Sequence, residues 1–541
     1  MIRYRATRPR LDRGTAPRKG IVLFVVMVLV AMVAFAGFGF VSMMSTEYQA
    51  TRRHGEELQA AQAIASAEAL VLNFAQLSDT ERALVGSHID NPGMFQGIPL
   101  QPAIRPRTTT AAPAVETASG WHVSIVSPTR ETLDEQTLRF GLENESARLH
   151  LSTLLAWDRE YPGSGRQALT RLPNMTDAIA DAILDWCDSD DIPREFGAES
   201  EAYLANGSGY LPRQGVPQLL DELLLVQGVT RELLFGLDED QNFRVDLEES
   251  QRGNTTKLDS QPAPDLESSP GGWSDHLTLY SAERNRDPWG QPRVDLNQND
   301  LQRLAASLSN VLPKDLVEFI VAWRQFGPAS GNASAASGSV QRSAGAPSIS
   351  TTQPARYRLH SLCDLIDARV RIDVQDDAPS AQRLLQSPLS STASNKQQLL
   401  EALLNHTTLN PEAIIIGRIN INLAPESVLQ GLPGLSEDVV QQILVRRETE
   451  DSAPRSTTAW LWAEGLVERP QYRKLEPWIT GGGDSFRGQL AAFQTDSGPI
   501  YRSQIVVGPM RGGVHRLHWR ELRSLGSGFS AQQLQRQSFM D

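Results

Sequence analysis

The stretch that decides the reading is Arg18–Met44, "RKGIVLFVVMVLVAMVAFAGFGFVSMM". An apolar run extends from Ile21 to Met44, diluted by Gly37, Gly39 and Ser42, and it is long enough to cross a bilayer as one helix. Ahead of it stand Arg3, Arg5, Arg8, Arg10, Arg13, Arg18 and Lys19 against one acid, Asp12. Basic flanks stay on the cytoplasmic side, so residues 1–19 are expected in the cytoplasm and the rest of the chain across the membrane. The run is long for a cleaved secretory signal, and no small-residue cleavage site follows it directly.

The start of the run carries more information than its length. A basic residue, then Gly20, then the hydrophobic helix resembles the leader of type IV pilin-like proteins. In those proteins a membrane peptidase cuts after the glycine and the helix is retained. On that resemblance Gly20 and Ile21 flank the processing site, and Val25 becomes the fifth mature residue, where most pilins and pseudopilins have glutamate. A lone carboxylate at membrane depth costs about 2.5–3.5 kcal/mol on insertion scales unless a neighbouring subunit pairs with it. A subunit at the end of a stack lacks one neighbour and does without it. The plain alternative is an ordinary signal anchor.

The chain has 541 residues and a formal net charge of −13, with room for about two to four domains. That charge argues against a nucleic-acid footprint for the chain as a whole and suits a protein that binds cations. There are two cysteines, Cys187 and Cys363, and nothing in their placement says whether they pair. Catalytic motifs are missing: no HExxH, no GxSxG, no phosphate-binding glycine loop, and only scattered histidines. The reading is not an enzyme.

Beyond the apolar run, Ile64, Ala67, Val71, Phe74 and Leu77 keep an apolar stripe at helical period. No proline interrupts residues 21–77, so one helix of about 85 Å is expected, its second half packed on a soluble domain. "WHVSIVS" from Trp121 and "ARLHLST" from Ala147 alternate as strands do, with a loop over residues 105–120 between helix and strands. The stretch Leu172–Leu184 is echoed by Leu432–Leu444, and a looser third copy begins at Val226. Each has a tight turn leading to a Ser or Thr able to cap the next helix, as in helix-hairpin-helix or SAM-like pairs. Residues 250–272 and 327–355 are too poor in apolar residues to pack and read as linkers, with the strand-then-helix "PRVDLNQNDLQRL" between them. Strands return at the C-terminus, "YRSQIVV" from Tyr501 and "VHRLHWREL" from Val514, across a turn at Gly512-Gly513.

Carboxylates cluster twice. In "DEDQNFRVDLEE", Asp238, Asp240, Asn242, Asp246 and Glu249 occupy positions 1, 3, 5, 9 and 12 of an EF-hand-type calcium loop, with the Arg244 carbonyl at position 7. Phe243 stands where the sixth position normally has glycine, so strain or a different loop is expected there. In "DWCDSDDIPREFGAESE", Asp185, Asp188, Asp190, Asp191, Glu195, Glu199 and Glu201 repel one another unless cations or arginines lie among them. Asp188, Asp190, Asp191 and Glu199 are the candidate ligands here. Acidic surface turns are the plain alternative for both.

Together these features resemble the K component of the general (type II) secretion pathway, a minor pseudopilin. The resemblance is carried by Gly20, Val25, "LPNMTDAIADAILDWCDSDDIPREFGAE" (172–199), "LLDELLLVQGVTRELL" (219–234) and "INLAPESVLQGLPGLSEDVVQQIL" (421–444). It implies an α+β fold: a long N-terminal transmembrane helix on a small antiparallel pseudopilin sheet, with a large mostly α-helical insertion of SAM-like or helix-hairpin-helix type. The expected layout is a leader over 1–20, the transmembrane and stalk helix over 21–80, pseudopilin strands over 81–155 and a first helical domain over 156–249. A linker over 250–272, a strand-helix unit over 273–326 and a second linker over 327–355 follow. A strand and loop (356–400), a second helical domain (401–480) and C-terminal strands (481–541) complete it. The family also implies calcium binding and a place at the tip of a periplasmic filament in the bacterial inner membrane, aiding export of folded proteins. Its implied partners are other minor pseudopilins, the major pseudopilin, a prepilin peptidase and the inner-membrane secretion platform. The rival reading is a membrane-anchored helix-hairpin-helix protein binding incoming DNA. Few glycines in the hairpins and only Arg446 and Arg447 as local basic support count against it.

Overall fold

The computed structural model describes residues 19–100, 120–128, 138–246, 248–249, 271–329, 353–373, 382–448, 456–494 and 498–536. The leader before Lys19, the loop expected over 105–120 (except Gly120) and most of the two linkers lie outside the described residues. The chain divides into residues 1–62 and residues 63–541.

Helix α1 runs unbroken from Lys19 to Gln76. Its first part, long and apolar enough to cross a membrane, exposes every large side chain from Val22 to Met44. After the apolar run the helix turns polar, with an i,i+4 ion pair between Arg52 and Glu56 at 2.9 Å.

In the second unit, the end of α1 buries Ala63, Ile64, Ala67, Val71 and Phe74, the expected stripe, while Leu77 is half-buried. The stripe packs on a seven-stranded antiparallel sheet. Its strands are β1 (Ile98–Pro99), β2 (Trp121–Ser127), β3 (Arg139–Phe140), β4 (Glu143–Asn144), β5 (Phe486–Gln494), β6 (Tyr501–Met510) and β7 (Gly513–Glu521). The order is β1-β2-β5-β6-β7, with β3 on β2 and β4 on β5. Phe74 meets Phe95 and Phe486 edge-on, with centroids 5.5 and 6.0 Å away. The expected strands at Trp121, Tyr501 and Val514 form. The central strand β5 does not announce itself, because Gly488, Ala491 and Ala492 give it little β-branched character. A side chain at Gly488 would stand 2.7 Å from Leu142.

One expected strand is corrected. In Ala147–Thr153 only Leu149–His150 is extended, pairing in parallel with Leu277–Thr278, and Leu151–Glu160 is helix α2. Helical spacing buries Leu151, Leu154 and Leu155, and the His150 ring accepts from the Ser152 amide to cap the first turn. These outweigh the short alternation.

The chain leaves the sheet after β4 and re-enters it at β5, and β4 and β5 are hydrogen-bonded neighbours (Asn144 opposite Phe486). The described residues between 145 and 485 therefore form a head inserted at one point of the sheet. One apolar core runs through it from Leu149 to Ile479. Both cysteines are free and buried in it.

The repeat is a helical hairpin: α3 (Ser164–Leu169) to α4 (Asp177–Cys187), and α5 (Glu426–Gln430) to α6 (Glu437–Glu448). Asn174 (φ +56°) and Gly434 (φ +88°) hold the same left-handed position, as does Gly228 (φ +83°) in the third copy. Matching backbone bonds close the turns: Met175 to Leu172, Leu435 to Leu432 and Val229 to Val226. Thr176 and Thr230 cap the following helices as expected. Arg171 pairs with Glu437 at 2.9 Å, joining the two main copies. The strand-helix unit also forms, with Val294–Asp295 extended and Asp300 capping Leu301–Leu308.

Buried ions hold the root of the head. Glu145, with no exposed surface, accepts from Arg487 Nε (2.6 Å) and Nη2 (3.2 Å), Arg148 Nη1 (3.2 Å) and the Thr278 hydroxyl. Arg148 also meets Glu143 at 2.7 Å. Beside it, Asp484 pairs with Arg82 and with Arg284 Nη2 (2.8 Å). A Cβ at Gly483 (φ +157°) would strike the Asn144 and Ser146 side chains at 2.5 Å.

Glu145→Gln should lower stability by about 3–5 kcal/mol, because it leaves buried guanidinium charge unmet; denaturant unfolding of the purified chain measures this. Burial pushes His88 down to about 3 and His150 to about 4. Both rings take a proton near pH 6.5 when unfolded but stay neutral when folded. Stability is therefore full above pH 6.5 and falls by about 1.4 kcal/mol per pH unit for each histidine as the pH drops toward 4. His88→Leu should make that fall shallower in urea unfolding across the pH range.

Candidate functional site

The two carboxylate clusters survive folding as convergent groups, one at the end of α4 and one in the loop from Asp238 to Glu249. In each, three carboxylates bring ligand oxygens within 4.8 Å of one another: Asp185, Asp188 and Glu199, and Asp238, Asp240 and Glu249.

The first forms because Asp181 and Asp185 lie one turn apart on α4, both fully buried, and the turn at residues 194–197 wraps them. Arg166 forks onto Asp181 (2.7 and 2.6 Å), which also accepts from the Phe196 amide. Arg194 Nη1 lies 2.6 Å from both Asp185 and Asp188, and its Nη2 reaches Asp158 at 3.3 Å. Gly197 passes so close that a Cβ there would sit 1.8 Å from Asp185 Oδ2. Glu199 is 4% exposed, yet neither of its carboxylate oxygens has a hydrogen-bond partner, and Asp188 Oδ1 also lacks one. Burial, and then the charges of Asp185 and Asp188, push Glu199 up to about 8. A buried carboxylate aimed at two others with nothing bonded to it is the geometry that a hard divalent cation completes. Of the expected ligands, Asp188 and Glu199 converge here. Asp190 and Asp191 are exposed and accept from the backbone amides of Ile192 and Ser200. Asp185, outside the candidate ligand set, joins the site.

The second cluster keeps the EF-type wrap. Asp238 accepts from the amides of Asn242 (3.0 Å) and Phe243 (2.8 Å). Glu249 reaches back over the loop to accept from Glu239 (2.9 Å), Asp240 (3.2 Å) and Asp246 (2.9 Å). Asn242 Nδ2 lies 3.1 Å from Asp240 and 3.4 Å from Asp246, and its Oδ1 accepts from the Arg244 amide. Phe243 takes the left-handed conformation of the sixth position, φ +69°. Its ring packs toward Phe529, centroids 6.1 Å apart, which offsets the strain. Burial, and then Asp240 and Glu249, push Asp238 up to about 8, against the two amides that favour its charge. Among the described residues no Lys or Arg ion-pairs with Asp238, Asp240, Asp246 or Glu249. The sheet grips the loop instead: Arg502 donates to the carbonyls of Asp240 (2.7 Å) and Gln241 (3.0 Å), and Gln489 to Gln241 (2.8 Å).

The processing pair Gly20–Ile21 falls in the first turn of α1. Of the two arginines considered for DNA, only Arg447 turns into the fold, while Arg446 is exposed. Arg447 donates to the carbonyls of Ala424 and Ile421, and Arg446 pairs with Glu464 at 3.0 Å.

The model of the family described as "Type II secretion system (T2SS), protein K" matches residues 147–238. No curated protein matches the chain. Among solved structures, a chain of the GspK-GspI-GspJ complex from the enterotoxigenic Escherichia coli Type 2 Secretion System aligns at 10% identity and a TM-score of 0.36. The alignment covers 87% of this chain and 98% of that one. The matched segment runs from the root of the head to Asp238, the first carboxylate of the second cluster, and over those residues the chain is similar to the protein K family.

Proposed function

We propose that this chain is a minor pseudopilin that caps the tip of the type II secretion pseudopilus and supports export of folded proteins across the outer membrane. The observation that carries the reading is the protein K segment at 147–238, set in a head that interrupts an antiparallel sheet joined to the end of a long apolar helix. The helix anchors the chain once in the bacterial inner membrane, N-terminus cytoplasmic and bulk periplasmic. A prepilin peptidase cuts between Gly20 and Ile21, and the new terminus is methylated. Other minor pseudopilins and the major pseudopilin pack on the helix, and the inner-membrane platform drives growth beneath it. The head then ends the filament, so that growth moves substrate outward.

Calcium is the proposed cofactor. Asp185, Asp188 and Glu199 would hold one ion. Asp238, Asp240 and Glu249, with Asn242, Asp246 and the Arg244 carbonyl in the same loop, would hold another. The ions would supply positive charge to Glu199, which has no partner, and to the second cluster, with which no Lys or Arg ion-pairs among the described residues, so their role is structural.

Coexpression with a prepilin peptidase should give a mature chain that starts at Ile21 and is one methyl group heavier, read by intact mass; a chain still starting at Met1 overturns the processing step. A strain lacking the gene should retain secreted proteins in its periplasm, and normal secretion sinks the tip role. Calcium at a hundred times its Kd adds about 2.7 kcal/mol to stability, seen as a rise in Tm over the chelated protein. Glu199 and Asp238 ionise at ordinary carboxylate pH when unfolded but only near pH 8 when folded. Their contribution in chelator is thus full below about pH 4.5 and lost as the pH rises through 8. Calcium binds the ionised form, so the Tm rise should be larger at pH 8 than at pH 6.

A further inference from the structure

Resting on the calcium reading above, we propose that Arg194 is a positioning residue of the Asp185–Asp188–Glu199 site, an outer partner that stays in place when the ion binds. Its guanidinium and a cation would use different oxygens. Arg194 holds Asp185 Oδ1 and Asp188 Oδ2, each at 2.6 Å, and Asp158 at 3.3 Å. Its own backbone amide lies 3.2 Å from Asp185 Oδ2. Left without hydrogen bonds are Asp188 Oδ1 and both oxygens of Glu199. One guanidinium, with 22% of its side chain exposed, thus orients Asp185, which has no exposed surface, and Asp188, whose other oxygen stays unbonded with Glu199 close by. A Cβ at Gly197 would sit 1.8 Å from Asp185 Oδ2, so the glycine is what leaves that oxygen room. Groups that orient metal ligands are commonly worth 10–100-fold in affinity.

Electrostatics alone predicts the opposite sign. A guanidinium a few ångströms from a calcium ion repels it, so an arginine that merely balanced the empty site would weaken binding, and its removal would tighten it. An arginine that the ion displaces behaves the same way. The direction of the change therefore separates positioning from charge balance.

The test uses the full chain in detergent, with Asp240→Asn and Glu249→Gln present throughout to silence the other cluster, and calcium alone as the probe in calorimetric titration. Arg194→Gln and Arg194→Lys should each bind calcium about 10–100-fold more weakly. The lysine retains the charge but cannot hold three carboxylates at fixed angles. The rise in Tm on adding calcium should shrink in parallel. Unchanged or tighter binding in Arg194→Gln overturns the proposal; if that variant fails to fold, unchanged or tighter binding in Arg194→Lys does so. Glu199→Gln distinguishes the two levels. If it abolishes binding while the Arg194 variants bind normally, only the role of Arg194 falls. If the parent chain binds no calcium, the site reading falls and this proposal with it.

Discussion

A carboxylate with no access to water, Glu145, holds the root of the head. Moving such a group out of water costs several kcal/mol unless partners replace the lost hydration. Here Arg487 and Arg148 supply charge and Thr278 a hydroxyl. Position gives the interaction its reach: Glu145 directly follows β4, while Arg487 is the second residue of β5. Their pairing pins the departing and returning chains side by side. Once its ends are pinned, the length of an insertion adds little further entropic cost. The sheet can therefore carry a head larger than itself without disturbing its own register.

The same accounting separates structural acids from ligand candidates. Buried Asp484 has Arg82 and Arg284, Asp181 has Arg166, and Glu283 has Arg418. Each is matched by a guanidinium within salt-bridge distance. Glu199 and the Asp238–Glu249 loop break the pattern. Glu199 accepts nothing, and the loop's carboxylates are met by backbone amides rather than by cations. Amides can orient a carboxylate, but they do not cancel its charge against a neighbour less than 5 Å away. Among the described residues, arginine neutralises the other fully buried acids, and on the calcium reading these two exceptions are the groups that would accept a divalent ion.

Local signals in the sequence were reliable where one interaction dominated. The membrane run, the α1 stripe, the hairpin repeat with its threonine caps, and the C-terminal strands all follow from periodicity or turn chemistry that neighbouring residues share. The wrap of the second acidic loop was legible for the same reason, since its carboxylates lie within twelve residues of one another. What stayed hidden depends on long-range pairing. Nothing near Glu145 announces Arg487, and β5 is a strand because β2 and β6 flank it, not because "FRGQLAAFQ" favours extension. At Ala147–Thr153, two alternating residues were outvoted by a helix whose buried leucines face a core built from distant segments. In the first cluster the acids were visible, but the place of Asp185 beside Asp188 and Glu199 was not. It depends on the turn at 194–197 folding back onto α4.

The C-terminal end of α1 shows how a pushing filament would engage the head, on the reading of this chain as a tip subunit. A helix ends in unpaired carbonyls and partial negative charge, and α1 has no basic residue in its last turn to meet them. Arg284, a head residue, does so, donating to the carbonyls of Gln76 (2.8 Å) and Leu77 (2.7 Å). Its backbone amide and guanidinium also hold Asp484, on the returning chain, and Asp484 holds Arg82 beyond the helix end. Helix end, head and sheet thus share one ion cluster, most of it out of solvent. Surface ion pairs yield easily because water replaces them at little cost. This cluster is mostly buried, so separating its charges incurs a desolvation penalty. On that reading, axial force on the helix would reach the head through groups that resist separation.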